Sequence, residues 1–184
     1  MEYIYETDRL WLRVLDKSAA DLLLAYQLRN KAFLEEWEAE KNESFYSLEH
    51  QMDMLENEQL SMENGTSFRV YLFKKEESDK VIGSIAFTNM VGGVFLSCYL
   101  GYKLDKDEIN KGYMTEALKK AIEIIFGEFG LHRIEGNVMP KNKASLRVLE
   151  KLGFYNEGLA YKYLKINGKW EDHVHMVLRN KALE

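Results

Sequence analysis

The stretch whose residues best suit a binding site is a loop that leads into a helix. It spans residues 109–115, Ile109-Asn110-Lys111-Gly112-Tyr113-Met114-Thr115. The first turn of a helix has main-chain N–H groups without an intrahelical partner, and the helix dipole adds about half a positive charge there. An anion such as a pyrophosphate is stabilised at such a position, and Gly112 would let the main chain approach it closely. The stretch matches neither the P-loop pattern nor the dinucleotide pattern G-x-G-x-x-G.

The helix that follows is the strongest in the sequence. Its apolar residues recur every three or four positions, as on one buried helix face. They are Met114, Ala117, Leu118, Ala121, Ile122, Ile125, Phe126 and Phe129.

A second helix is predicted about thirty residues later, within residues 140–154. Asn142 is a good N-cap and Gly153 a good residue just past the end of the helix. The inward-facing residues are predicted to be Ala144, Val148, Leu149 and Leu152.

Together the two helix starts resemble a known family. Residues 111–117, Lys-Gly-Tyr-Met-Thr-Glu-Ala, precede residues 142–154, Asn-x-x-Ser-x-x-x-x-Glu-Lys-x-Gly-Phe. These two motifs, in this order, resemble those of the GNAT superfamily of acyl-CoA N-acyltransferases. Within the superfamily they are most similar to those of the RimJ/RimL-like ribosomal-protein alanine/serine N-acetyltransferases. The opening residues 7–13, Thr-Asp-Arg-Leu-Trp-Leu-Arg, also resemble the first strand of that branch, so the resemblance covers essentially the whole chain.

The resemblance implies that acetyl-CoA is the acyl donor. Main-chain groups of residues 110–115 would hold its pyrophosphate, and the strand edge around Tyr99 to Leu104 would pair with its pantetheine arm, because an exposed edge carries unpaired donors and acceptors. Lys111, Lys143, Arg147 and Lys151 could neutralise phosphate charge, or could be solvated surface cations. The implied cofactor-binding residues are Tyr102, Leu104, Asn110, Lys111, Gly112, Tyr113, Met114, Thr115, Asn142 and Arg147.

The loop departs from the superfamily pattern [Gln/Arg]-x-x-Gly-x-[Gly/Ala]. Its three defined positions are Ile109, Gly112 and Met114 here, so only the central glycine is kept. Main-chain N–H groups do most of the binding in this pattern, so these changes need not abolish it. Met114 nevertheless leaves less room than glycine and could alter how tightly the loop wraps.

Catalysis is expected to need a group that protonates the departing sulfur and a base that removes a proton from the acceptor ammonium. Asn142 and Ser145 match family positions near the thioester, although they also suit an N-cap and a polar third helical residue. Glu135 is the best-placed acid for a base, with a salt-bridged or solvated role as the alternative. Tyr99 or a water could also take part.

Other chemistry finds less support in the sequence. His173 and His175 lie on one face of a predicted strand, but no further His/Cys cluster supplies zinc ligands, so a structural or surface role is predicted for them and no metal site. Cys98 has no His/Asn partner at a diagnostic spacing and is interpreted as a small buried residue.

Composition predicts one domain over residues 1–184. A net charge of −5 argues against a general nucleic-acid binder. A single cysteine, the lack of an apolar run long enough for a membrane span, and an N-terminus unlike a signal peptide favour the cytoplasm.

The remaining pattern predicts an α/β (α+β) fold, with a mixed, mostly antiparallel sheet flanked by about four helices. Asp16 is predicted to cap a helix carrying Ala20, Leu23, Leu24 and Leu28, and Trp37 with its neighbouring acids could line an acceptor cleft. Strands are predicted at residues 8–15, 68–73, 81–90, 94–104, 133–138, 159–166 and 169–178, and a surface helix at 47–63. Asn167-Gly168 is a typical two-residue hairpin turn.

The sequence therefore favours an acetyl-CoA-dependent N-acetyltransferase that works by direct attack in a ternary complex. By resemblance the acceptor would be a protein N-terminal α-amine such as that of a ribosomal protein, and the resemblance is also compatible with a homodimer. Two alternatives remain open: an enzyme for a small cationic amine such as a polyamine or antibiotic, and a non-catalytic acyl-CoA-binding sensor or interaction module.

Overall fold

The computed structural model describes residues 3–184, which form one eight-stranded sheet and four α-helices. The strands are β1 Ile4–Glu6, β2 Leu10–Arg13, β3 Phe68–Lys74, β4 Glu77–Val91, β5 Ser97–Leu104, β6 Arg133–Val138, β7 Tyr155–Ile166 and β8 Lys169–Arg179. The helices are α1 Ala20–Leu34, α2 Leu48–Glu63, α3 Tyr113–Gly127 and α4 Lys143–Lys151. Short 3-10 turns lie at Lys17–Ala19, Glu43–Tyr46 and Lys181–Leu183.

The sheet order is β1-β2-β3-β4-β5-β6-β8-β7. Only β5 and β6 run parallel, because α3 carries the chain across between them, and every other neighbouring pair is antiparallel. The predicted fold class is therefore confirmed.

The two faces of the sheet are covered by different helices. Helices α3 and α4 pack over the larger core, which includes Phe68, Phe87, Ile134 and Leu149. Helices α1 and α2 cover a second core on the other face, centred on Tyr26, Tyr71 and Phe73. Because side chains alternate along a strand, each strand presents one set of residues to each face.

Several predicted boundaries agree with the structure. Gly112 is the N-cap of α3, and the Asn142 side chain caps α4 by accepting from the Ser145 N–H at 3.2 Å. Asn167 and Gly168 have φ of 43° and 76°, the positive values that a tight type I′ hairpin turn requires.

Two residues predicted on buried helix faces are exposed, Leu28 of α1 and Ala144 of α4. Each lies five residues from a buried leucine on the same helix, Leu23 and Leu149 respectively. Five residues turn a helix by about 140° relative to that anchor, which points the side chain away from the sheet.

Some strand boundaries also differ from the prediction. Strand β1 was not predicted, since three residues give no usable alternation. Strand β5 begins at Ser97 rather than Val94, because Leu96 has a φ of 41° that interrupts extended backbone. Strands β4 and β7 begin earlier than predicted, at Glu77 and Tyr155.

Candidate active site

The sheet opens between β5 and β6. Their parallel ladder runs from Ser97 opposite Arg133 to Leu100 opposite Gly136 and then stops, while β5 continues through residues 101–104. The prediction that the free edge begins at Tyr99 is therefore wrong, because Tyr99 lies opposite Glu135 inside the ladder. The free edge is residues 101–104, which include Tyr102 and Leu104.

The N-terminus of α3 faces the region where β5 ends. Gly112 has φ 80° and ψ 0°, the left-handed conformation that favours glycine. None of the main-chain N–H groups of residues 110–115 donates to an acceptor within residues 3–184. The Met114 side chain is buried in the core, so only its N–H group is available at the loop. The turn thus has the donors that an anion needs.

The acid in this first turn is neutralised by the N-terminal segment. Glu116 accepts from the Thr7 hydroxyl at 2.5 Å, from the Arg9 N–H at 2.8 Å and from the Arg9 guanidinium at 2.6 Å. Burial acts to raise the pKa of Glu116, but these hydrogen bonds outweigh it and hold the pKa below its usual value. Arg9 also donates to the Lys111 carbonyl at 3.0 Å and lies 4.4 Å from the Tyr113 ring centre.

The loop before α3 is anchored by a buried carboxylate. Glu108 is 4% exposed and forms ion pairs with Lys74 at 3.0 Å and Lys111 at 2.9 Å. Lys111 is therefore engaged with an acid, and its ammonium is less suited to neutralising a phosphate than the sequence suggested. Arg147, by contrast, is exposed on α4.

A hydroxyl pair joins the free edge of β5 to α4. The Tyr102 and Ser145 hydroxyl oxygens are 2.6 Å apart, and the Tyr102 hydroxyl lies 3.1 Å from the Ser145 carbonyl oxygen. Burial raises the pKa of Tyr102 to about 12, so the phenol keeps its proton at neutral pH. Tyr102 packs against the α3/α4 core, which places this pair on that face of the sheet.

Glu135 lies on the opposite face of the sheet. Its Oε1 is 2.6 Å from His175 Nδ1, and its Oε2 accepts from Arg133 at 3.2 Å. Arg133 also binds Glu157 at 3.1 and 2.5 Å, and this pairing lowers the pKa of Glu157 to about 2. Glu135 is thus salt-bridged, as its alternative interpretation predicted, and it also lies beside the opening between β5 and β6.

A groove of about 530 Å³ lies on the same face as Glu135. Helix α2 contributes Asp53 and Glu58 to its lining, and the sheet contributes Arg69 and Thr88. Thr88 lies opposite Tyr99 in the β4–β5 ladder, so the groove adjoins the strand that borders the opening.

The segment between α1 and α2 closes over this face. The Asn167 N–H of the β7–β8 turn donates to the Glu38 carbonyl at 2.9 Å, while the Glu38 carboxylate pairs with Lys103 of β5 at 2.8 Å and with Lys41. Trp37 is half-buried, with the Lys141 ammonium 5.5 Å from its ring centre. The predicted cleft residue therefore contacts the segment that leads into α4.

The other candidate chemistries have little structural support. Cys98 is buried, and burial raises the pKa of its thiol to about 12, which makes it a poor nucleophile. Within the described residues, no group of three or more His, Cys, Asp or Glu side chains is arranged to hold a metal ion. No helix within residues 3–184 is long and apolar enough to cross a membrane.

Sequence reasoning missed three participants in this arrangement. Arg9 was noted only as part of the opening motif, His175 was interpreted as structural or surface-exposed, and Glu38 was included only among the acids beside Trp37. Each acts through partners distant in the chain, so no local spacing identifies it.

Comparison with known proteins assigns the family. Residues 9–155 match the family model described as the acetyltransferase (GNAT) domain. The chain belongs to the GNAT acetyltransferase family. The [ribosomal protein uS5]-alanine N-acetyltransferase of Escherichia coli (strain K12) is 39% identical over 173 residues, covering 91% of this chain and 86% of that protein.

Solved structures agree with this assignment. The ribosomal-protein-S5-alanine acetyltransferase from Vibrio fischeri superposes with a TM-score of 0.93 at 31% identity, covering 99% of both chains. Mycobacterium smegmatis RimJ, solved in complex with CoA-disulfide, has a TM-score of 0.87 at 25% identity and covers 95% of this chain and 83% of its own. The resemblance to the RimJ/RimL branch is confirmed, and this chain is a GNAT-type N-acetyltransferase.

Proposed function

We propose that this GNAT enzyme transfers the acetyl group of acetyl-CoA to the N-terminal α-amine of a protein, with a ribosomal protein as the acceptor class. The observation that carries the proposal is the opening between β5 and β6, which has a hydroxyl pair on one face and a carboxylate on the other. Donor and acceptor can then meet through the sheet from opposite sides.

Acetyl-CoA would bind on the α3/α4 face. The free N–H groups of residues 110–115 suit its pyrophosphate, and the unpaired edge at residues 101–104 suits the amides of its pantetheine arm. Arg147 supplies exposed positive charge near these elements, whereas the Arg9 guanidinium is paired with Glu116. The CoA-disulfide complex of M. smegmatis RimJ supports CoA as the ligand class.

Transfer would occur by direct attack of the amine on the thioester. Glu135 would accept a proton from the acceptor ammonium, directly or through a water, and the free amine would attack the carbonyl carbon. Ser145, hydrogen-bonded to Tyr102, would donate a proton to the departing sulfur, while Asn142 holds the first turn of α4 in place. Holding both substrates together lowers the entropic part of the barrier.

The E. coli relative named for alanine acetylation of ribosomal protein uS5 supports a protein N-terminus as the acceptor. A hydrogen bond from the β7–β8 turn to the Glu38 carbonyl also supports a protein N-terminus as the acceptor. This bond covers part of the acceptor face, and a partly covered site admits the narrow end of a peptide more easily than a bulky molecule.

A small cationic amine is the second candidate. Helix α2 carries five acidic residues and no lysine or arginine, and two of the acids line the groove. A polyamine would be attracted to such a wall.

The test is a thiol-release assay with acetyl-CoA and three acceptors: a peptide beginning with alanine, the same peptide with a blocked N-terminus and an internal lysine, and spermidine. We expect release with the first acceptor only. Release with spermidine alone would favour the second candidate. No release with any of the three would contradict the proposed function.

A further inference from the structure

We infer that His175 is a positioning residue for Glu135, and that the two side chains remove the acceptor's proton as a pair. This inference rests on the proposed function. It assigns a catalytic-site role to a histidine that the sequence analysis considered as a possible zinc ligand and interpreted as structural or surface-exposed.

The carboxylate of Glu135 is held at both oxygens. His175 Nδ1 lies 2.6 Å from Oε1, and Arg133 donates to Oε2 at 3.2 Å. The side chains of Glu135 and His175 are 16% and 24% exposed, so the contact is shielded yet reachable from solvent. A carboxylate fixed in this way presents a constant direction to an incoming amine.

The pair lies beside the opening in the sheet. Glu135 is directly opposite Tyr99, one position before the β5–β6 ladder ends. His175 is opposite Asn137, the next residue of β6 on the same face. An amine that approaches the thioester from the groove side therefore passes this edge of β6.

The orientation of the histidine ring leaves one nitrogen free. Tyr163 of β7 packs against the His175 ring with centres 4.9 Å apart and planes at 68°. With Nδ1 directed at Glu135, Nε2 has no hydrogen-bond partner among the described residues. That nitrogen can exchange a proton with water.

The charged and ionisable side chains around Glu135 are those of His175, Arg133, Tyr99 and Tyr163. Arg133 stays charged and shares its guanidinium with Glu157. Burial raises the pKa of Tyr163, so its phenol keeps its proton at neutral pH.

The reaction requires that this pair remove one proton from the acceptor ammonium. The acceptor arrives as an ammonium and must lose one proton before its lone pair can form the C–N bond. Glu135 takes that proton while the His175 Nδ1–H stays hydrogen-bonded to the carboxylate, and Glu135 then gives the proton to solvent. When the C–S bond breaks, the sulfur gains a proton from the Ser145 hydroxyl. The second proton lost by the amine then restores that hydroxyl. The products are amide, free thiol and one released proton.

The test compares His175→Phe, which keeps a ring but no donor, with His175→Gln, which keeps a donor but no titratable nitrogen. We expect His175→Phe to lower kcat at least about tenfold, with an unchanged KM for acetyl-CoA. The acid limb of its kcat/KM profile should move to higher pH, because the carboxylate loses a donor that favours its ionised form. His175→Gln should restore the position of the acid limb and only part of kcat.

The matched control is His173→Gln. His173 lies two residues away on the same strand and binds the Glu171 carbonyl rather than Glu135. It should keep the wild-type pH profile if circular dichroism shows a folded protein. An active wild type whose two His175 variants both keep wild-type kcat and acid limb would overturn this inference alone, whereas an inactive wild type would overturn the proposed function.

Discussion

At the scale of single residues, the candidate catalytic groups occur in pairs, Ser145 with Tyr102 and Glu135 with His175. The family resemblance pointed to Asn142 and Ser145, and its strand position pointed to Glu135; in the structure Ser145 contacts the free edge of β5 and Glu135 lies next to the end of the β5–β6 ladder. The partners of Ser145 and Glu135 come from other strands, Tyr102 on β5 and His175 on β8. One sequence gives no sign of such pairings, because each depends on strand register rather than on neighbouring residues.

Replacing Ser145 with alanine should lower kcat by about a hundredfold, because the developing negative charge on sulfur loses its hydroxyl donor. Tyr102→Phe should lower kcat less, because it removes only the partner of that hydroxyl. Since burial raises the pKa of Tyr102 to about 12, the alkaline limb of the profile should be the same in wild type and Tyr102→Phe. Steady-state kinetics across pH checks both variants, and an unchanged kcat in Ser145→Ala would contradict the assigned role.

At the scale of elements, the start of α3 carries the proposed donor site. The sequence located this helix correctly, since its apolar spacing and Gly112 both reflect short-range rules. Where the β5–β6 ladder stops was not predictable, because the separation depends on how α4 packs against β6. A Cβ at Gly136 would lie 3.0 Å from Leu149 Cδ1, so this packing is close.

Gly112→Ala should cost about 1–2 kcal/mol of stability, because a side chain disfavours φ of 80°. It should also raise the Kd for acetyl-CoA by about tenfold or more, because the strained turn no longer holds its N–H groups in place. Gly65→Ala is the matched control, with φ of 68° and open space around it, but far along the chain from this helix. Calorimetric titration should show weaker binding in the first variant only, and equal affinities in both would contradict this account of the donor site.

At the scale of the whole molecule, Glu116 links the N-terminal segment to α3. Its pKa is lowered in the folded state, so it contributes stability above its ordinary pKa, near 4.5, which is lost as pH falls through the lower folded value. Glu116→Gln should therefore lower Tm at pH 7 by about 2–8 °C, for a loss of about 1–2 kcal/mol. The difference in Tm from wild type should shrink below about pH 4. A constant difference between pH 7 and pH 3 would contradict the charge-based explanation.

The sheet order and the proposed placement of donor and acceptor on opposite faces both depend on the whole fold. The strand pattern predicted most of the strands and the antiparallel character of the sheet. It could not show that Tyr102 and Glu135 face opposite sides of one opening, because this follows from the parallel register of β5 and β6.

The most direct test of transfer through this opening is to locate the acetyl group on a peptide that offers both kinds of amine. A peptide beginning with alanine and containing an internal lysine is incubated with the wild-type protein and acetyl-CoA, and its fragments are analysed by mass spectrometry. We predict one added acetyl group, on the α-amine. Acetylation confined to the lysine, or an unmodified peptide, would contradict the proposed transfer to protein N-termini.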